Sequence, residues 1–336
     1  MEKIERYIHG TINTLGCNLN CNYCYLKLQG VPQTTESKFE YSLNTIKKAM
    51  SRDRWGCCFI SLCGKGETLM DSKVIDLMKV LLDNGHYINI STNGTMKKNM
   101  HIMIQSFPKD YIERTMLTIS LHYNELKKRN LLDQYFSNIR ALKNAGFSVL
   151  LQLVLADEYM PIIDEIKNRC YDELGVLPHV SMVRNETDIN DRSLYSKYDY
   201  STYCKIAESF DSGYFRLQKV LYEKKYIHDY CFAGDKGVML DFSTGIMMQC
   251  LCNTNFQNVF EKPDMPVIFQ PVGRLCAAPW CFCAVFQLFG LIPTMNLESY
   301  KDLYRENQLD WVSKKLLNAL NVKLVETYVE KDSKNT

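Results

Sequence analysis

Three cysteines lie close together near the start of the chain, in the stretch TLGCNLNCNYCY that covers residues 14–25. Cys17, Cys21 and Cys24 have the spacing C-x3-C-x2-C, which places three thiols on one short loop. A cubane [4Fe–4S] cluster has four irons and is usually held by four thiolates. Three thiolates would therefore leave one iron open to a ligand that the protein does not supply. The Asn and Gly residues around the cysteines are typical of a loop whose backbone N–H groups surround such a cluster.

Two other interpretations of this loop stay open. The three thiols could be free in a turn, or they could belong to a structural zinc site. A zinc site needs a fourth Cys or His at close spacing, and the first histidine after Cys24 is His86. A catalytic cluster with one open iron needs only these three thiolates and no fourth protein ligand.

Composition narrows the class of protein. The 336 residues suffice for one large domain and a small one, and the net charge of +2 gives no support for a nucleic-acid or membrane-surface partner. The N-terminal stretch carries charges where a signal peptide would be apolar, and no stretch of 18 apolar residues occurs. Fourteen cysteines without an export signal indicate a reducing compartment. We therefore predict a cytoplasmic protein that keeps its cysteines for metals, catalysis or packing.

Short apolar segments alternate with helical segments in the first half of the chain. The predicted strands cover residues 7–13, 57–63, 87–92, 116–121, 147–155 and 177–182. The predicted helices between them cover residues 38–50, 72–84, 96–105, 131–144 and 160–170. This alternation predicts α/β structure with a parallel sheet, which right-handed crossovers would curl into an open, partial (β/α)6 TIM-like barrel. Chemistry in such barrels takes place at the carboxyl ends of the strands, and the cysteine loop follows the first strand.

The cysteine loop resembles the signature of the radical S-adenosylmethionine (radical SAM) superfamily. The resemblance implies that Cys17, Cys21 and Cys24 hold a [4Fe–4S] cluster whose open iron chelates S-adenosylmethionine. It also implies reductive cleavage of S-adenosylmethionine to a 5'-deoxyadenosyl radical, with the electron coming from a donor such as flavodoxin or ferredoxin. The family favours an aromatic residue by the adenine just before the third cysteine, and Tyr23 matches this position.

A glycine-rich stretch after the second predicted strand is similar to a second motif of the family. The stretch LCGKGET resembles Gly-Gly-Glu-Pro or Gly-x-Gly-Glu, whose backbone and glutamate hold the methionyl amino group. The resemblance implies this role for Gly64, Gly66 and Glu67, although Thr68 stands where proline is common. A turn without a ligand is the alternative.

Three later strand ends supply the remaining expected cofactor contacts. The resemblance implies contacts from Asn93, in a Thr-Asn-Gly stretch that is also a turn signal, and from Ser120 and Gln152. His122 replaces an aspartate that many relatives carry, which leaves the role of His122 open between structure and catalysis.

A second group of cysteines begins at Cys231. Two alternating segments around a Ser-Thr-Gly turn, GVMLDF and GIMMQC, predict a hairpin that ends at Cys250. The pattern C-x13-G-x4-C resembles the opening of the SPASM and twitch auxiliary domains, and implies a second, auxiliary [4Fe–4S] cluster on Cys231 and Cys250. No cysteine follows Cys283, so a twitch-like half domain fits better than the seven-cysteine SPASM pattern. A zinc-only site is the alternative, and two further ligands are expected among Cys276, Cys281 and Cys283.

These assignments divide the chain into four parts. We expect a radical SAM barrel, a linker with a helix, a small cysteine-rich α+β iron–sulfur domain, and a C-terminal helix with a disordered tail, over residues 1–185, 186–228, 229–290 and 291–336. The other cysteines outside the two groups are interpreted as packing residues: Cys57, Cys58, Cys63, Cys170 and Cys204.

The resemblance implies an oxidoreductase that takes a hydrogen atom from its substrate. We favour the oxidation of a peptide or protein side chain, because relatives with auxiliary clusters often act there, although no peptide-recognition domain is expected ahead of the first strand. Dehydrogenation or epimerisation of a sugar, an aminocyclitol or another small molecule is the alternative. An epimerisation needs a thiol that returns a hydrogen atom, and Cys252 is the candidate catalytic residue if it is not a ligand. The competing class is a metal-cluster module without catalytic activity.

Overall fold

One sheet of nine strands organises the part of the chain that the computed structural model describes. The described residues are 3–14, 16–28, 30, 37–185, 193–224, 229–251, 253–274, 276, 278, 281 and 284–325. The strands are β1 (Arg6–Ile12), β2 (Cys58–Gly64), β3 (Tyr87–Thr92), β4 (Thr115–Ser120), β5 (Ser148–Leu155), β6 (His179–Met182), β7 (Gly237–Asp241), β8 (Ile246–Cys250) and β9 (Asn253–Asn258). Their order across the sheet is β6-β5-β4-β3-β2-β1-β7-β8-β9. The pairs from β6 through to β7 are parallel, while β8 and β9 are antiparallel to their neighbours.

Most of the helices connect successive parallel strands. In chain order they are α1 (Tyr25–Leu28), α2 (Leu43–Ala49), α3 (Arg52–Trp55), α4 (Lys73–Asp83), α5 (Lys97–Ser106), α6 (Lys109–Glu113), α7 (Tyr123–Lys128), α8 (Leu132–Asn144), α9 (Ile163–Leu174), α10 (Tyr200–Glu208), α11 (Gly213–Glu223), α12 (Ala284–Leu288) and α13 (Lys314–Leu320). Short 3-10 helices cover Thr68–Met70, Asp157–Ile162, Pro293–Met295, Lys301–Leu303 and Glu306–Trp311. The predicted α/β fold with a mostly parallel sheet is confirmed. None of the helices in the described ranges is long and apolar enough to cross a membrane.

The inward side of the parallel strands changes from apolar to polar toward their carboxyl ends. The first inward positions are apolar and form one cluster with side chains from residues 284–320: Tyr7, Phe59, Tyr87, Met116 and Leu150. In the next layer Asn89 donates to Ser61 Oγ at 2.8 Å and accepts from Thr118 Oγ1 at 2.9 Å. The layer nearest the carboxyl ends lines a cavity: Cys63, Ser91, Ser120, Val154 and Ser181. The apolar C-terminal segment therefore closes one end of the barrel and leaves the polar end open.

The hairpin predicted around residues 237–250 is present, and it extends the main sheet. Strand β7 pairs in parallel with β1, in a register that sets Tyr7 opposite Gly237 and Thr11 opposite Asp241. Strand β9, which was not predicted, adds to β8. The second cysteine group is thereby attached to the barrel through continuous backbone hydrogen bonds.

Two segments differ from the sequence prediction. The expected linker and single helix contain two helices, α10 and α11, because Ser212 caps α11 by accepting from the Phe215 backbone N–H at 3.2 Å. The C-terminal helix predicted within residues 291–336 is divided into a 3-10 helix and α13, because Ser313 caps α13 and accepts from the Leu316 backbone N–H at 3.1 Å. The tail that was expected to be disordered lies outside the described residues from residue 326 onward.

Candidate active site

A cavity of about 830 Å³ opens at the carboxyl ends of the parallel strands. The cysteine loop forms part of its wall. Cysteines and expected cofactor contacts together line it: Cys17, Cys21, Cys24, Tyr23, Gly64, Gly66, Glu67, Asn93 and Ser120. Gln152 does not line the cavity. It is half-buried on β5, where it lies opposite Ser120 of β4. The structure thus brings the sequence-predicted site together except for Gln152.

Asn93 connects the cysteine loop to the loop after β3. Its Nδ2 donates to Asn18 Oδ1 at 2.8 Å and lies 3.8 Å from Cys17 Sγ. Asn18 Nδ2 donates to Thr95 Oγ1 at 2.9 Å, and Thr95 Oγ1 donates to Asn93 Oδ1 at 2.6 Å. This closed set of hydrogen bonds fixes the cysteine loop and supplies an N–H near a cysteine sulfur.

Glu67 holds three segments of the cavity wall together. Its carboxylate accepts from Thr92 Oγ1 and from the Asn93 backbone N–H, both at 2.6 Å, and from the Leu69 backbone N–H at 2.9 Å. Its own backbone N–H donates to Gly16 O at 2.7 Å. Burial raises the pKa of Glu67, and the accepted hydrogen bonds oppose this rise. Glu67 therefore orders the wall, while its contact with the amino group of a bound cofactor stays a prediction.

The glycines of LCGKGET permit backbone-to-backbone packing. A Cβ atom at Gly66 would collide with the carbonyl oxygen of Gly16 and would lie 2.8 Å from that of Thr14. The Gly64 backbone N–H donates to Thr68 Oγ1 at 2.8 Å. The Thr68 side chain therefore accepts a hydrogen bond at the position where the family commonly has proline.

His122 contacts the cysteine loop directly. Its Nδ1 lies 3.3 Å from Cys21 Sγ and 2.8 Å from Tyr23 Oη, and Tyr23 Oη lies 2.9 Å from Tyr159 Oη. Burial lowers the pKa of His122 to about 4, so the ring is neutral near pH 7. The role of His122 was open from the sequence, and Tyr159 was not predicted, because no local pattern in the sequence pairs residues that far apart.

The three loop thiols fit a cluster better than a single ion. Burial raises the pKa of Cys17 and raises that of Cys21 to about 12, so a bound metal would have to supply the free energy of deprotonation. The Leu19 backbone N–H lies 3.5 Å from Cys17 Sγ, as is typical of hydrogen-bonded cluster sulfurs. Within the described ranges, no three Cys, His, Asp or Glu side chains are spaced to hold one metal ion. In a cluster each thiolate binds a different iron, so wider spacing is acceptable.

Four cysteines of the second group come together beside β7 and β8. Burial raises the pKa of Cys231 to about 12, and the nearby thiols of Cys281, Cys250 and Cys276 add to this rise. Cys231 pairs with Gly273 through two backbone hydrogen bonds, which bring the two segments together. Gln287 Nε2 donates to Cys281 Sγ at 3.2 Å. Two residues of the sequence prediction, Cys252 and Cys283, lie outside the described residues.

One cysteine of the second group, Cys281, borders a hollow next to the cavity. A small hollow beside Cys281 is lined by Met182 and Arg184, and both residues also line the cavity. Met182 is the last residue of β6, and Arg184 lies in the segment that follows. This segment is held by hydrogen bonds from the Asn185 backbone N–H to Ser193 O at 2.9 Å and from the Tyr195 backbone N–H to Val183 O at 3.2 Å. The hollow beside Cys281 and the cavity thus share two lining side chains.

One cysteine that was interpreted as a packing residue lines the cavity instead. Cys63 is half-buried at the end of β2 with its side chain on the inward face. The period-2 pattern of β2 places Cys63 on the same face as Ser61, and that alternation was the signal that could have identified it. The other cysteines of that set are buried in the core: Cys57, Cys58, Cys170 and Cys204.

The sequence profile of the radical SAM superfamily matches residues 12–191, which is more than half of the chain. The chain belongs to the radical SAM superfamily. Membership implies a [4Fe–4S] cluster and S-adenosylmethionine, and the cysteine loop and the cavity are suited to both.

Three known proteins illustrate the similarity. The 7-carboxy-7-deazaguanine synthase of Clostridium acetobutylicum is 30% identical over 145 residues, which are 40% of this chain and 62% of the synthase. SuiB of Streptococcus suis, solved with S-adenosylmethionine, has a TM-score of 0.53 at 16% identity over 78% of this chain and 64% of SuiB. The protein anSMEcpe with bound AdoMet has a TM-score of 0.51 at 13% identity over 81% of this chain and 78% of that protein. The chain thus spans less than two thirds of the synthase and of SuiB, and the two structures show the radical SAM fold.

Proposed function

We propose that this radical SAM enzyme is an oxidoreductase with two [4Fe–4S] clusters that oxidises a side chain of a peptide or protein. Cys17, Cys21 and Cys24 would hold the catalytic cluster. Cys231, Cys250, Cys276 and Cys281 would hold the auxiliary cluster. Four thiolates saturate the irons of a cubane cluster, so the auxiliary cluster would serve electron transfer and would not bind a cofactor. The observation that supports the proposal is that Cys281, Cys250 and Cys276 lie near Cys231. In addition, Cys281 borders a hollow that shares Met182 and Arg184 with the cavity.

The residues of this chain contribute position and enclosure. When bound, the catalytic cluster and S-adenosylmethionine supply the radical that abstracts a hydrogen atom. Glu67 and Asn93 fix the loops that surround the cavity through hydrogen bonds of 2.6–2.9 Å. The cavity of about 830 Å³ is of the size that small-molecule sites have, so a peptide would insert one side chain into it.

A two-electron oxidation requires an electron acceptor close to the substrate. The substrate first loses a hydrogen atom, and it must then lose one more electron and a proton. The electron needs an acceptor close to the cavity, and the proton can go to solvent. Met182 and Arg184 line both the cavity and the hollow beside Cys281, so a cluster on this cysteine group would lie near the place where an acceptor is needed.

The substrate class rests on two kinds of similarity. SuiB has been solved with its precursor peptide SuiA and anSMEcpe with the Cp18Cys peptide, and their shared fold supports a peptide substrate here. A small heterocyclic substrate is the second candidate, because the synthase of Clostridium acetobutylicum is 30% identical over 145 residues.

Cofactor cleavage tests the proposed enzyme class. Anaerobically reconstituted protein with dithionite and S-adenosylmethionine should release 5'-deoxyadenosine. The Cys24→Ala variant should release none, because the cluster would lose a ligand. Cys204→Ala, at a buried cysteine on α10 outside both groups, is the matched control and should retain the activity. Protein that contains zinc and no iron would contradict the proposal.

Solvent deuterium distinguishes oxidation from epimerisation. If a thiol such as that of Cys252 returned a hydrogen atom, turnover in deuterated water would place deuterium on the product carbon. We expect no deuterium at that carbon and normal product from the Cys252→Ala variant. Deuterium that appears in the product and is lost in this variant would replace the oxidative proposal with the redox-neutral one.

A further inference from the structure

The His122 ring lies between one cysteine of the catalytic loop and two tyrosines. Its Nδ1 is 3.3 Å from Cys21 Sγ and 2.8 Å from Tyr23 Oη, and Tyr23 Oη is 2.9 Å from Tyr159 Oη. The rings of Tyr23 and His122 are within 22° of parallel with centroids 6.0 Å apart. Tyr23 comes from the cysteine loop, His122 follows β4, and Tyr159 follows β5. Three separate segments therefore hold the ring in one orientation.

A single ring nitrogen faces both the sulfur and the tyrosine, so its proton decides which hydrogen bonds form. A neutral imidazole carries a proton on one of its two nitrogens. Without that proton, Nδ1 of His122 accepts from the Tyr23 hydroxyl. With it, Nδ1 donates to Cys21 Sγ, and the Tyr23 hydroxyl is then able to donate to Tyr159 Oη at 2.9 Å.

We propose that His122 donates its Nδ1–H to the Cys21 thiolate when the catalytic cluster is bound, and that Tyr23 and Tyr159 hold the ring for this contact. The inference rests on the proposed role of Cys21 as a cluster ligand. A thiolate that binds iron has no proton to donate. An unprotonated Nδ1 at 3.3 Å would therefore place its lone pair against a lone pair of the Cys21 sulfur, which is unfavourable. The thiolate therefore selects the tautomer with the proton on Nδ1.

This hydrogen bond makes the catalytic cluster easier to reduce. Hydrogen bonds to cluster sulfurs are among the factors that set reduction potentials, because they stabilise the more negative, reduced state. Cys17 receives comparable donors from the Leu19 backbone N–H and from Asn93 Nδ2. His122 is thus a positioning residue that acts through Cys21.

Two substitutions separate the hydrogen bond from the bulk of the side chain. His122→Leu removes the donor, whereas His122→Asn keeps an N–H donor on the same Cγ atom. The readout is an anaerobic redox titration followed by electron paramagnetic resonance, using the cluster signal that changes when S-adenosylmethionine is added. At the wild-type midpoint potential, the ratio of reduced to oxidised cluster should be on the order of tenfold lower in His122→Leu than in the wild type. In His122→Asn the ratio should be close to that of the wild type. His101→Leu, at an exposed histidine on α5, is the control and should change nothing.

Pulsed resonance on wild-type protein with 15N-labelled histidine provides a second readout. A labelled nitrogen and an exchangeable proton should both couple to the cluster. An unchanged potential in His122→Leu, the absence of these couplings, or loss of the cluster from both variants would overturn the inference, because His122→Asn still carries a donor. Wild-type protein that binds no iron would instead contradict the proposed function itself.

Discussion

At the scale of single residues, close backbone packing sets the shape of the cavity wall. A methyl group on residue 66 would meet the carbonyl oxygen of Gly16, so Gly66→Ala should push the cysteine loop away from β2. We expect a loss of about 1–3 kcal/mol in stability and a lower iron content. Gly175→Ala is the control, because no atom lies within 4 Å of its added Cβ although its φ is +71°. It should lower stability and leave the iron content unchanged, and equal iron in both variants would contradict this account.

The Glu67 carboxylate allows a second prediction at this scale. Its oxygens accept from three donors, and an amide would turn one acceptor into a donor that faces another donor. An unsatisfied buried pair costs about 1–3 kcal/mol, so Glu67→Gln should weaken S-adenosylmethionine binding by about tenfold or more. Calorimetric titration of the reconstituted enzyme measures this. Unchanged affinity would mean that the cavity wall does not depend on the charged form of Glu67.

At the scale of secondary-structure elements, a buried histidine links β6 to the C-terminal segment. His179 Nε2 lies 3.0 Å from Gln308 Oε1, and burial lowers the pKa of His179 to about 3. The unfolded chain takes up this proton near pH 6.5, so the stabilisation is complete above that pH and is lost as the pH falls toward 3.

The loss through His179 amounts to at most about 1.4 kcal/mol per pH unit. Melting temperatures between pH 7 and pH 5 should therefore fall more steeply for the wild type than for His179→Gln. Parallel curves for the two proteins would show that the pKa of His179 does not change on folding.

The elements also show how far the sequence predicts the structure. The six barrel strands could be located because each is a short apolar run next to a helical repeat. The predicted C-terminal helix is present as α13 but is shorter than the helical spacing suggests, because that spacing does not reveal the cap at Ser313. Helix α11 was missed because its partner is distant in sequence: Gln218 Oε1 accepts from the Met182 backbone N–H at 2.7 Å.

At the scale of the whole molecule, both cysteine groups lie next to strands of one continuous sheet. Spacing in the sequence indicated the two groups, and the position of strand ends indicated where the cavity would be. The sequence did not indicate that β7 pairs with β1, or that Met182 and Arg184 line both the cavity and the hollow beside Cys281. Such proximity depends on how distant segments pack, and local residue patterns do not encode it.

Replacing the cysteines of either group alone should halve the iron content of the protein. The proposed enzyme should hold about eight irons and eight sulfides per chain, with four of each in either cluster. Replacing Cys17, Cys21 and Cys24 with alanine should leave about four irons, in a cluster that no longer responds to S-adenosylmethionine. The double variant Cys231→Ala, Cys250→Ala should also leave about four, in a cluster that still responds.

The most direct test of the two-cluster account is a combined iron, sulfide and Mössbauer measurement on anaerobically purified wild-type protein and these two variants. The account predicts two [4Fe–4S] clusters in the wild type and one different cluster in each variant. A wild type with only about four irons, all lost when Cys17, Cys21 and Cys24 are replaced, would contradict it.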